Sequence, residues 1–74
     1  MSEGHMITSK SIAGIALKAA RLLSTGKIDP ATATRIGTVT GCALDDLREG
    51  KALANKSVAE LIQIETMLTL ADRE

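Results

Sequence analysis

The chain has no phenylalanine, tyrosine or tryptophan, and only one cysteine, one histidine and one proline among its 74 residues. Without aromatic rings there is no platform on which unpaired bases could stack, which weakens any single-strand or RNA-surface binding role. One cysteine, Cys42, makes an internal disulfide impossible, and with no secretory leader visible a reducing cytoplasmic setting is expected. His5 and Cys42 are the only soft metal ligands, so a structural zinc site within one chain is excluded and no cofactor is expected. No apolar run approaches the ~20 residues needed to span a bilayer, so no membrane partner is expected. No sign of charge prevails either, since nine Lys plus Arg balance nine Asp plus Glu.

What remains is aliphatic. Hydrophobic residues make up 45% of the chain, but eleven of them are Ala, so the large side chains are few for their number. A chain this short buries only roughly 60% of the surface its unfolded form exposes, which points to self-association or a partner as an added stabiliser. Catalysis needs a walled pocket holding a titrating group, and neither is in prospect. No catalytic residue and no small-molecule substrate are nominated, and the chain is read as not an enzyme. Residues 1–5, ending in His5, read as a cloning remnant and are expected to be disordered, leaving residues 6–74 as a single helical domain.

Between Thr8 and Thr25 the residues Ile12, Ile15, Ala16, Ala19, Leu22 and Leu23 recur at spacings of three and four, one stripe of a helix. Thr8, Ser9 and Ser11 are the candidate caps, and Gly26 is the left-handed stop. Lys10, Lys18 and Arg21 fall on the opposite face, with Leu17 beside them as a misfit. Ile28-Asp29-Pro30 starts a second helix, since Asp caps free amides and Pro is tolerated at the first helical position. This helix is expected to end at Gly41. Its threonines, Gly37 and Val39 are poor helix formers, and a strand over residues 32–41 is the competing reading.

A short helix is then expected from Ala43 to Glu49, with Asp45 and Asp46 near its positive end and Gly50 as its stop. A loop follows from Lys51 to Lys56, with Leu53 plugging the core. Ser57-Val58-Ala59-Glu60 has the form of a capping box and predicts a last helix. On that helix Leu61, Ile64, Leu68 and Ala71 form a seam of coiled-coil type. Val58, Ile62, Met67 and Leu70 lie off the seam, more apolar circumference than one neighbouring surface covers.

The expected fold is therefore all-α: a small bundle of three to four helices with a helix-turn-helix-like middle, associating as a homodimer. Its interface with itself or with another protein partner is expected to use Val58, Leu61, Ile62, Ile64, Met67, Leu68 and Leu70, because contiguous exposed apolar surface marks association sites. The expected role is non-catalytic, that of a small regulator, adaptor or inhibitor presenting a helical surface.

The alternative is a DNA-binding regulator of helix-turn-helix type. Its would-be recognition helix carries Asp45, Asp46 and Glu49 against only Arg48, which repels phosphate, so DNA contact falls to Lys10, Lys18, Arg21, Lys27 and Arg35. These five cations share residues 6–41 with one acid, Asp29, whereas residues 42–74 carry four cations and seven acids. That split could match basic to acidic faces between two antiparallel protomers. Cys42, between Val39 and Leu44, is expected to be a buried, inert thiol. Gly37 and Gly41 lack the Gly-Lys-Ser/Thr ending of a phosphate loop, so nucleotide binding has no support.

Overall fold

The computed structural model describes residues 7–73. The proposed remnant at residues 1–5, His5 included, lies outside the described residues. Three helices follow in order: α1 (Ser9–Ser24), α2 (Pro30–Arg48) and α3 (Asn55–Arg73). Residues 32–41 are helical, and no strand is present among the described residues.

Local chemistry sets the ends of α1. The Ser11 amide donates to Thr8 Oγ1 at 3.2 Å while the Thr8 amide donates to Ser11 Oγ at 2.9 Å, so Thr8 is the cap and Ser11 its reciprocal partner. At the other end Gly26 takes φ +77°, which only glycine adopts without steric cost. The turn lets the Lys27 amide reach the Leu22 carbonyl at 2.8 Å and the Gly26 amide reach the Leu23 carbonyl at 3.1 Å, the two bonds of a Schellman stop. Gly50 repeats this arrangement after α2 with φ +80°, its own amide bonding Leu47 at 3.1 Å and that of Lys51 bonding Asp46 at 2.8 Å.

The start of α2 is as expected, with Pro30 at its head and Asp29 Oδ1 accepting the Thr32 amide at 2.9 Å. Its middle corrects the expectation. The helix does not end at Gly41 but runs unbroken to Arg48, so the separate helix Ala43–Glu49 and the helix-turn-helix-like middle do not exist. The reason is tertiary. Thr40 and Ala43, on either side of the supposed stop, are both buried against the other helices, and a turn at Gly41 would pull one of them out. The threonines are reconciled with the helix by bonding backward. The Thr40 hydroxyl donates to the Ile36 carbonyl at 2.9 Å and that of Thr38 to Thr34 at 3.1 Å, leaving neither hydroxyl wanting a partner.

A second correction concerns α3, which begins at Asn55 rather than at Ser57. The Val58 amide donates to the Ala54 carbonyl at 3.0 Å, so Ser57 lies within the first turn and is not the cap. The loop is correspondingly shorter, and half-buried Leu53 packs from it against the core as expected.

The core is Ile12, Ile15, Ala19 and Leu22 from α1, Ile36 and Ala43 from α2, and Leu61, Ile64 and Leu68 from α3. Helix α1 packs against both others, while α2 and α3 touch least and leave a groove between them. The bundle measures 35 × 28 × 19 Å, thin enough that every helix keeps one face toward solvent.

Candidate interaction surface

The seven residues expected at an interface divide by the turn of α3. Leu61, Ile64 and Leu68 are buried in the chain's own core, so the coiled-coil seam is consumed intramolecularly and is not a contact surface. Val58 is half-buried. Ile62, Met67 and Leu70 are 42%, 39% and 55% exposed, because they sit on the far side of the same helix. Neither Leu17 nor Leu53 nor the stripe of α1 covers them. Leu17 is itself 72% exposed on the outer face of α1.

Ile62, Gln63, Thr66, Met67, Leu70 and Ala71 line one shallow cleft running along α3. It lies between two rows of side chains four residues apart, Ile62-Thr66-Leu70 and Gln63-Met67-Ala71, the ridges by which helices pack. The cleft carries no charge. Gln63 and Met67 also belong to the groove between α2 and α3, about 300 Å³, floored by Ile36 and Ile64 and rimmed by Thr32, Arg35 and Glu60. The Arg35 guanidinium donates to Glu60 Oε2 at 3.1 Å across that groove, so its two ionised groups satisfy each other.

The expected basic face is largely spoken for. Of its five cations, Arg35 holds Glu60, Arg21 lies 3.5 Å from Asp72, and the Lys27 ammonium donates to the Asp72 backbone carbonyl at 3.0 Å. The last contact places a cation at the C-terminal, negative end of α3. Lys10 is exposed and Lys18 half-exposed. The opposite charge of the two halves of the chain is thus met at these points within one chain. The signal for it was the charge split itself, but the spacing of Arg21 and Asp72 in sequence says nothing of their meeting until the α1/α3 pairing is known.

Asp45 and Asp46 also change meaning. They stand in the last turns of the continuous α2, near its negative end, and Arg48 approaches Asp45 at 4.0 Å. Cys42 is exposed, not buried. Its neighbour Ala43 takes the inward position, and one residue along a helix rotates the side chain by about 100°. Among the described residues no three His, Cys, Asp or Glu side chains converge, and no helix is long and apolar enough to cross a membrane. No protein-family model, curated protein sequence or solved structure matches the chain.

Proposed function

We propose that the chain is a non-catalytic helical interaction module, a small regulator, adaptor or inhibitor that self-associates through the outer face of α3. The observation that carries this reading is the uncharged cleft with Ile62, Met67 and Leu70 exposed along one helix. Removing such a strip from water is favourable at roughly 25 cal/mol per Å² of apolar area. Against an enzymatic role stands the lining of the groove between α2 and α3, which offers Arg35 and Glu60 already paired and no histidine, cysteine or lysine. A reducing cytoplasmic setting suits a lone thiol that faces solvent.

The DNA-binding alternative loses support on two counts. Helix α2 has no turn at Gly41 from which a recognition helix could start, and Arg21, Lys27 and Arg35 contact α3.

Light scattering over a concentration series tests the proposal. Mass should rise from monomer to dimer, and Leu70→Asp should hold it at monomer with helical circular dichroism unchanged. A monomer at millimolar concentration would refute self-association. Salt-sensitive retardation of duplex DNA that disappears in Lys18→Glu would favour the alternative instead.

A further inference from the structure

We propose that the α3 cleft meets the same cleft on a second copy of the chain in antiparallel orientation, about a two-fold axis beside Thr66. This rests on the self-association proposed above and adds how the copies sit.

The charge pattern selects the occupant. Ala59, Ile62, Gln63, Thr66, Met67 and Leu70 are all exposed and all uncharged. Of the two acids within that stretch, Glu60 is tied to Arg35 and Glu65 lies around the helix toward the Leu61 side. A strip without charge between residues 59 and 70 meets its own copy without repulsion, and the exposed cations Lys56 and Arg73 stand only at its two ends.

The order of sizes selects the axis. Ile62 and Leu70 stand four residues to either side of the smaller Thr66, a span of about 12 Å at 1.5 Å per residue. An antiparallel two-fold through Thr66 exchanges these positions, so Ile62 packs on the partner's Leu70 and the reverse. Thr66 at the crossing allows close approach. Covering it strands no polar group, since its hydroxyl already donates to the Ile62 carbonyl at 3.0 Å.

Helix ends select the direction. Parallel copies would align their dipoles, whereas antiparallel copies oppose them. In that arrangement Arg73 falls over the partner's Ala59, where its aliphatic stem extends the apolar cover. Three large exposed side chains fall short of the ~800 Å² per partner of a standard stable interface, so the dimer is reversible and concentration-dependent.

Disulfide trapping in a Cys42→Ser background tests the arrangement on the full chain. Three single variants, Ile62→Cys, Thr66→Cys and Leu70→Cys, are oxidised alone, and the first and third are also oxidised as a mixture. The expected result is a covalent dimer from Thr66→Cys alone and from the mixture, with several-fold less from Ile62→Cys or Leu70→Cys alone. Efficient trapping of those two singles, with no gain on mixing, would overturn the antiparallel orientation while leaving self-association intact. Dimeric mass in light scattering with no trapping in any variant would place the contact elsewhere and overturn the proposal. Monomeric mass for the unaltered chain would overturn the underlying reading as well.

Discussion

Arg21 on α1 and Asp72 near the end of α3 lie 3.5 Å apart, joining the first helix to the last through side chains that remain 62% and 41% exposed. The contact adds little to stability. Exposed pairs of this kind contribute about 0–1 kcal/mol, because water screens them and two long side chains must be held still. Asp72→Asn should accordingly lower unfolding stability by less than about 1 kcal/mol in urea titration. A loss of several kcal/mol would mean that the pair is far better sheltered than its exposure indicates.

Leu68 and Leu70 differ by two positions and by their entire environment, one fully buried and the other 55% exposed. Leu68→Ala should cost about 2–5 kcal/mol through lost burial and an unfilled cavity. Leu70→Ala should stay within about 0.5 kcal/mol at protein concentrations low enough to keep the chain monomeric. Parallel denaturant titrations compare them directly, and equal losses would contradict the orientation of α3.

Glycines separate in the same manner. Gly26 has φ +77°, so Gly26→Ala should cost about 1–2 kcal/mol from the left-handed backbone alone. A Cβ at Gly37 meets nothing within 4 Å and the residue lies in the interior of α2. Gly37→Ala should therefore raise stability by about 0.5–1 kcal/mol. Opposite signs in thermal unfolding are the expected outcome.

How far the fold was legible in the sequence follows from such local differences. Thr8, Gly26, Asp29-Pro30 and Gly50 carry their meaning in the adjacent residues, and each marks the boundary its chemistry implies. Gly41 resembles Gly50 on paper, yet it stays helical, because burial of Thr40 and Ala43 from other helices decides the matter. The same dependence on distant partners hid the exposure of Cys42 and the contacts of Arg21, Lys27 and Arg35 with α3. On α3 the excess of apolar circumference was readable from spacing alone. Which residues would be left outside depended on which side α1 and α2 approached.

Asp29 gives the chain a predictable response to acid. Hydrogen bonds from the Thr32 hydroxyl and then from the Thr32 amide favour its ionised form and hold its carboxyl below the ordinary aspartate range. A group whose folded pKa is depressed stabilises the fold above its unfolded pKa of about 3.9, and that contribution disappears as pH falls through the lower folded value. Asp29→Asn keeps an accepting oxygen at the cap but cannot titrate. Urea midpoints from pH 7 to pH 2 should show the unaltered chain losing its advantage over this variant only below about pH 4. A constant difference throughout would mean that the ionised carboxylate is not what α2 depends on.

Because α3 fills the core with Leu61, Ile64 and Leu68 on one side and exposes Ile62, Met67 and Leu70 on the other, a single helix thickness separates the bundle's interior from the proposed contact face. Whatever settles on that outer side also clamps the element whose departure would empty the interior. Under the proposed self-association, occupancy and folding are thermodynamically linked, and the melting temperature of this small chain should rise with its concentration.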